Sequence, residues 1–222
     1  MSENLKSPEA DESPEIFFDN SKTLIIACGA LAKEILSIIN LNGLTHISLT
    51  CLPANLHNSP DQIVPRLKEK IQKYKSKYER ILIGYADCGT GGQLDDLCTI
   101  EGVDRIQGAH CYAFFAGQKE FDELADEELG SFYLTDYLVR QFDVLIMEGM
   151  GLNKYPQMRD LMFGNYKRVV YLSQVKDKKL DDMAQAAADK LGLELKIVRT
   201  GYGELAGFIE KGLHSVGFGN KT

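Results

Sequence analysis

Short apolar runs alternate along this chain with segments in which apolar residues recur every three or four positions. The short runs place Val, Ile and Leu consecutively, as in strands that are covered on both faces. They predict strands at residues 22–28, 46–51, 80–87, 103–110, 143–148, 167–173 and 194–200. This alternation of strands and helices is typical of an α/β fold with one mainly parallel sheet of six to seven strands and flanking helices.

The longer period marks amphipathic helices between the strands, because residues three and four apart share one helix face. Four apolar stripes show it: Leu31, Ile35, Ile38 and Ile39; Ile63, Leu67, Ile71, Tyr74 and Tyr78; Leu180, Met183, Ala184, Ala187 and Leu191; and Leu205, Phe208 and Ile209. Residues 112–142 break the rhythm. They predict a helical insertion of two helices, the second starting near Ser131 or Thr135, placed where it could form a lid.

Charge is concentrated at the start of the chain. Residues 1–20 hold six acids and one lysine, a net charge of −5, which leaves about −2 of the total −7 for the remainder. We predict a disordered or loosely attached arm at 1–20 and a flexible tail at 216–222. Residues 21–215 then form a single α/β domain, or two pseudo-repeated lobes. A nearly neutral body argues against a nucleic-acid partner.

The number of cysteines and the absence of a signal-like segment indicate a cellular compartment in which thiols stay reduced. The chain has five cysteines, no basic segment followed by an apolar one at its start, and no apolar run near the ~18 residues of a membrane span. These features predict a cytoplasmic protein without a membrane partner, in which cysteines bind metal or react rather than cross-link. They do not indicate an oligomeric state.

Three of the cysteines follow apolar, strand-like runs. Cys28, Cys88 and Cys111 each stand at the end of such a run. Because the carboxyl ends of parallel strands meet at one edge of a sheet, where ligands bind, we expect the three thiols to share one site. Cys51 also ends a strand and is a weaker candidate, whereas Cys98 is placed on a helix as a structural residue.

A glycine-rich turn surrounds the second of these cysteines. In the run Asp87–Asp95, the residues Gly89, Thr90, Gly91 and Gly92 lead into a helix start, which can hold an anion. The same helix dipole would favour the Cys88 thiolate. The spacing fits neither the Rossmann nor the Walker A pattern. A small anionic substrate or cofactor is expected here; the other interpretation is an ordinary strand-to-helix turn.

Other side chains at predicted strand ends supply proton-transfer candidates. His110 precedes Cys111, Asp87 precedes Cys88, and Glu148 follows another strand-like run. We assign catalytic or supporting roles to these three. Two of them have an equally good alternative: His110 as a histidine whose hydrogen bonds are satisfied at a strand end, and Glu148 as a solvated acid in a loop. His57 lies in a turn after the second strand and could reach the site, but helix capping explains its segment without a catalytic role.

Three thiolates in one site would narrow the choice of metal. Soft ligands select zinc, Cu(I) or iron–sulfur clusters, and three protein ligands with one open position suit catalytic zinc or a [4Fe–4S] cluster. We expect one of these two, without deciding between them. In a metal-free alternative, Cys88 is the nucleophile and His110 its base.

Several sequence blocks carry a resemblance to a known family. They are Ile26–Leu31, Leu56–Pro60, Gly84–Gly92, His110–Tyr112 with Phe115–Gly117, Tyr133–Asp136, Phe163–Tyr166 and Gly201–Leu205. The chain resembles, over residues 22–212, bacterial and archaeal proteins grouped as a domain of unknown function. The family-motif cysteines correspond to Cys28, Cys88 and Cys111. Members are often encoded near corrinoid-dependent methyltransferases, which implies one-carbon or methylamine metabolism.

We therefore expect a metal-binding enzyme of small-molecule metabolism, a metal-thiolate transferase or lyase with a Cys28/Cys88/Cys111 centre. Two alternatives stay open. One is a metal-free cysteine-dependent transferase or hydrolase. The other is a non-catalytic accessory protein with a corrinoid protein as its partner.

Overall fold

Parallel strands form two sheets in the computed structural model, which describes residues 15–214 and their side chains as far as residue 210. A four-stranded sheet belongs to a unit that ends at Ile106, and a three-stranded sheet belongs to a unit that begins at Gln107. The α/β class and the parallel pairing are confirmed. The strands divide between two sheets, which an alternating pattern of strands and helices cannot distinguish from one.

The first unit builds its sheet in the order β2-β1-β3-β4, with all neighbours parallel. Its strands and helices are β1 (Thr23–Cys28), α1 (Ala32–Leu41), β2 (Ile47–Leu52), α2 (Ile63–Tyr74), β3 (Arg80–Gly84), α3 (Gln93–Glu101) and β4 (Asp104–Arg105). Short 3₁₀ helices lie at Gly29–Leu31, Ala54–Asn58 and Pro60–Gln62. Every residue of β1 and β2 is buried, as their unbroken apolar pattern predicts.

Residues 15–20, the end of the predicted arm, lie along the open edge of β2. Ile16 and Leu49 exchange backbone hydrogen bonds of 3.0 and 2.8 Å in an antiparallel bridge. Such a contact covers an edge strand that would otherwise be open to pairing with another chain. Residues 1–14 and 215–222 lie outside the described residues, so the rest of the arm and the tail stay predictions.

The second unit orders its strands β5-β6-β7, all parallel. Its elements are α4 (Ala113–Ala116), α5 (Gln118–Glu127), β5 (Ser131–Thr135), α6 (Asp136–Arg140), a π-helix (Asp143–Glu148), α7 (Gln157–Phe163), β6 (Arg168–Ser173), α8 (Lys178–Leu191), β7 (Glu194–Arg199) and α9 (Gly203–His214). Val169 and Tyr171 pack in one cluster with buried residues of α8, whereas Val170 and Leu172 pack with Leu124 of α5.

Two of the predicted strands are wrong. Residues 143–148 form the π-helix, because Val139, Phe142 and Ile146 follow a helical period and join one core cluster. Of the predicted strand 103–110 only Asp104–Arg105 pairs, and Gly108 with a φ of 138° bends the chain before Cys111. Cys111 and Glu148 therefore do not end strands.

Within the predicted insertion, the first helical segment is present as α4 and α5. The second predicted helix is preceded by a strand, since Ser131–Thr135 pairs with β6 before α6 begins at Asp136. Thr135 caps α6 by accepting a hydrogen bond from the Leu138 N–H at 3.4 Å. Among residues 15–214, no helix combines the length and apolar character needed to cross a membrane.

Candidate functional site

Three chain segments leave the first sheet at the carboxyl ends of adjacent strands. Cys28 ends the central strand β1, His57 lies in the 3₁₀ helix after β2, and Cys88 follows β3. Because β1 lies between β2 and β3, the segments after these three strands emerge at one edge of the sheet. The sequence predicted this convergence for Cys28 and Cys88 but ranked His57 below them.

Cys88 occupies a left-handed backbone conformation. Its φ is 49°, the only positive φ of a non-glycine residue in the described part of the chain. A side chain in this conformation costs roughly 1–2 kcal/mol relative to the right-handed region. Strained residues of this kind concentrate at functional sites, so the conformation marks Cys88 as a candidate. The turn continues through Gly89, Gly91 and Gly92, all with positive φ.

The Asp87 carboxylate organises the glycine-rich turn from within. It accepts hydrogen bonds from the Gly92 N–H at 2.9 Å, the Gly91 N–H at 3.2 Å and the Thr90 hydroxyl at 2.8 Å. The Gly92 N–H, followed by the Thr90 hydroxyl and the other backbone donors, lowers the pKa of Asp87 despite partial burial. Asp87 is thus an ionised carboxylate that already occupies donors expected to hold an external anion.

The hydrogen bonds of Asp87 affect two predictions, namely proton transfer by Asp87 and anion binding by the glycine-rich turn. A carboxyl group with a lowered pKa is ionised near neutral pH and is only weakly basic, so the hydrogen bonds favour a structural role for Asp87 over proton transfer. Binding of an anion by Gly89, Thr90, Gly91 and Gly92 stays a prediction. Such an anion would compete with Asp87 for the Gly91 and Gly92 N–H groups.

His57 is the hydrogen-bond partner of Cys88. Hydrogen bonding between the two side chains, together with the charge of a Cys88 thiolate, raises the pKa of His57 above its usual value. Close packing of the two loops supports the contact, since a Cβ on Gly89 would lie 3.4 Å from the Pro60 Cγ. The His57 side chain is exposed whereas Cys88 is buried, so the pair has one side open to solvent. The feature of the sequence that could have indicated this pairing is the turn Leu56–Pro60, which directly follows a buried strand.

Cys28 is buried beside Cys88. Burial, together with the negative charge of a Cys88 thiolate, raises the pKa of the Cys28 thiol to about 11. The Ala30 N–H opposes the rise, because it favours the charged form of the Cys28 sulfur. The charge of a Cys88 thiolate thus acts on Cys28, while a shared metal centre at these two residues stays a prediction.

Cys51 and Cys98 occupy different positions. Ala27 pairs with Cys51 and with Gly84, so these three residues share one face of the sheet and Cys28 lies on the other. Burial, followed by the charge of Cys28, raises the pKa of Cys51 to about 12. Cys98 is buried on α3, where burial raises its pKa to about 11 beside the charged Arg105.

The remaining predicted residues belong to the second unit. Cys111 is half-buried in a turn before α4, and Glu148 is exposed at the end of the π-helix. The His110 ring stacks on Tyr112 at 4.9 Å, and Tyr112 stacks on Tyr133 at 5.5 Å. The Cys28/Cys88/Cys111 centre stays a prediction. Between residues 15 and 214, no three His, Cys, Asp or Glu side chains are grouped so that they could hold one metal ion.

A buried polar network lies at the carboxyl ends of β5 and β6. Asp136, only 1% exposed, accepts hydrogen bonds from the Tyr171 hydroxyl at 2.7 Å and from the Gln174 N–H at 3.0 Å. The Gln174 side chain accepts in return from the Asp136 N–H at 2.7 Å. These hydrogen bonds join the ends of β5 and β6. The sequence block Tyr133–Asp136 was noted for the family resemblance, but it did not indicate that Tyr171 and Gln174 bind Asp136.

Comparison with known proteins places the site in a family context. No curated protein and no solved structure matches the chain. One family profile, described as "Protein of unknown function (DUF1638)", matches residues 51–209. The match includes His57, Cys88 and Cys111 and begins at Cys51, after Cys28. Since it covers more than half of the sequence, the chain belongs to the DUF1638 family.

Proposed function

We propose that the protein is a cysteine-dependent enzyme that transfers a carbon group of a small electrophilic substrate. Cys88 is the nucleophile in this proposal, and His57 replaces His110 as its base. The observation that carries it is the hydrogen bond between the His57 imidazole and the Cys88 thiol. A nucleophile within hydrogen-bond reach of a base is the usual arrangement for covalent catalysis.

The position of Cys88 supports the same role. It lies on a strained turn between a strand and a helix, a location that presents a nucleophile at the end of a sheet. An imidazolium beside a thiol favours the thiolate, which is the attacking form. His57 is exposed, so the pair can exchange protons with solvent.

The proposed step conserves atoms and charge. His57 takes the Cys88 proton, and the thiolate sulfur forms a bond to the electrophilic carbon of the substrate. The bond from that carbon to the leaving group breaks with its electron pair, and the His57 imidazolium returns the proton to the leaving group. An acceptor, either water or a second substrate, then takes the carbon group from sulfur and restores the thiolate.

Competitive alkylation tests this role on the full chain. Limiting iodoacetamide, followed by peptide mapping, compares Cys88 with Cys98, a cysteine buried to a similar extent on α3. We expect Cys88 to react at least about tenfold faster at neutral pH and His57→Gln to remove most of the difference. Equal rates for Cys88 and Cys98, or an unchanged Cys88 rate in His57→Gln, would contradict the proposal.

A metal-thiolate enzyme is the second candidate, and the electrostatic contact between Cys28 and Cys88 favours it. A cation would relieve the repulsion between two thiolates, and sulfur ligands suit zinc or an iron–sulfur cluster. Anaerobic purification with elemental analysis tests it. About one zinc or about four irons per chain, lost in Cys28→Ser and Cys88→Ser but kept in Cys98→Ser, would support this candidate. Full metal content in Cys28→Ser and Cys88→Ser would exclude it.

A further inference from the structure

We propose that Cys28 and Cys88 are a redox-active dithiol that reduces small disulfides and closes into a reversible Cys28–Cys88 disulfide. Cys88 attacks first and Cys28 resolves the mixed disulfide. The attacking role of Cys88 rests on the function proposed above. The resolving role of Cys28 rests on separate features of the first sheet.

The pairing of β1 with β3 brings the two chain segments that carry Cys28 and Cys88 to the same edge of the sheet. Ala27 pairs with Gly84, and a Cβ on Gly84 would lie 2.8 Å from the Ala27 Cβ. Beyond Gly84, where β3 ends, the chain enters the turn that holds Cys88, whose φ is 49°. The two cysteines therefore follow neighbouring parallel strands at the same edge of the sheet.

The surroundings of the two sulfurs differ in a way that favours Cys88 over Cys28 as the first to attack. Cys88 has the imidazole of His57 as a hydrogen-bond partner, which favours its thiolate. Both cysteines are buried, but among the described residues Cys28 has no such imidazole partner that shifts its pKa, and the charge of a Cys88 thiolate opposes its ionisation. Once Cys88 is in a mixed disulfide that charge is gone, while the Ala30 N–H still stabilises a Cys28 thiolate.

The exchange is balanced in two steps. The Cys88 thiolate attacks one sulfur of the small disulfide, forms a new S–S bond and releases the other sulfur as a thiolate. Cys28 then loses its proton to that thiolate or to solvent and attacks the Cys88 sulfur. The S–S bond to the small molecule breaks and the second thiolate leaves. Two protein thiols are oxidised, and one small disulfide is reduced to two thiols.

The other cysteines of the first unit are less suited to resolve Cys88. Cys51 contacts Cys28 electrostatically, but the strand register places these two side chains on opposite faces of the sheet. Cys98 lies on α3 near Arg105, Asp95 and Asp104. Cys98→Ser is therefore a matched control that removes a buried thiol outside the pair.

The test exposes the full-length reduced chain to 2-hydroxyethyl disulfide without oxygen. Remaining thiols are blocked with N-ethylmaleimide, and unreduced peptides are mapped by mass spectrometry. We expect a Cys28–Cys88 cross-linked peptide, the loss of two thiols per chain and the release of two equivalents of 2-mercaptoethanol. Reduction with dithiothreitol should restore both thiols. Cys28→Ser and Cys28→Ala should each retain 2-mercaptoethanol on Cys88, and Cys98→Ser should behave as the wild type does.

The outcomes separate this inference from the proposed function. A mixed disulfide that persists on wild-type Cys88 would overturn the resolving role of Cys28 and leave Cys88 as a nucleophile. A Cys28–Cys51 cross-link would overturn the assignment of the pair. An unreactive Cys88, in disulfide exchange and in iodoacetamide alkylation alike, would overturn both. The wild-type map needs no substitution, so misfolding of a variant cannot hide the result.

Discussion

Gly84 of β3 lies opposite Ala27 of β1, and a Cβ on Gly84 would lie 2.8 Å from the Ala27 Cβ and 3.3 Å from its Cα. Neither atom belongs to a flexible side-chain end, so the strands must separate to admit a methyl group. We expect Gly84→Ala to lower the free energy of unfolding by about 1–3 kcal/mol, as overpacking does. Urea unfolding followed by circular dichroism measures it.

A second glycine provides the control for this prediction. Gly207 lies on α9, where a Cβ would have no neighbour within 4 Å. Gly207→Ala should therefore stabilise the chain by about 0.5–1 kcal/mol, because alanine is the better helix former. A Gly84→Ala variant as stable as the wild type would show that the strands are not held this closely.

The φ of 49° at Cys88 predicts an unusual order of stability among its variants. Glycine adopts this conformation without strain, whereas alanine keeps a Cβ that clashes with the backbone. We expect Cys88→Gly to be about 1 kcal/mol more stable than Cys88→Ala in urea unfolding. The reverse order would mean that the backbone at Cys88 carries no strain.

Asp87 predicts how acid affects the first unit. Its pKa is lower in the folded chain than in the unfolded chain, since the Gly92 N–H and further donors bind the carboxylate. The resulting stability is present above the unfolded pKa of about 3.9 and is lost as the pH falls through the folded value. We expect the urea midpoint of Asp87→Asn to be lower than that of the wild type at pH about 6, with the gap closing towards pH about 3. A gap that stays constant with pH would contradict this linkage.

In the second unit, the hydroxyl of Tyr171 satisfies a carboxylate that is almost fully buried. Removing it leaves the Asp136 oxygen without one of its donors, which costs about 1–3 kcal/mol. Tyr171→Phe should lose this much unfolding free energy, while Tyr155→Phe, at a tyrosine that is 48% exposed, should change it little. Equal effects of the two substitutions would contradict the role of the network.

The fold class and several strands could be predicted because their apolar runs are unbroken. The predicted strands at 22–28, 46–51 and 167–173 correspond closely to β1, β2 and β6. The run at 143–148 was misassigned because a short apolar segment fits a strand and a helix equally well. The division into two sheets depends on long-range pairing, which local periodicity does not encode.

The site could be predicted only in part. Cys28 and Cys88 follow from strand ends, which a sequence shows. The His57–Cys88 bond depends on how the loops after β2 and β3 fold against each other, and neither loop has a period. The glycine turn was recognised as an anion holder, but Asp87 itself supplies the carboxylate that the structure places there.

In the proposed enzyme, Cys88 and His57 form a thiolate–imidazolium pair once His57 has taken the thiol proton. The most direct test of this pair is the ultraviolet thiolate absorbance of the reduced, metal-free chain at neutral pH, compared among the wild type, Cys88→Ser, His57→Gln and Cys98→Ser. The account predicts that Cys88→Ser and His57→Gln each lose the absorbance of about one thiolate, while Cys98→Ser keeps it. Identical absorbance in the wild type and Cys88→Ser would show that Cys88 is a neutral thiol, which contradicts the account.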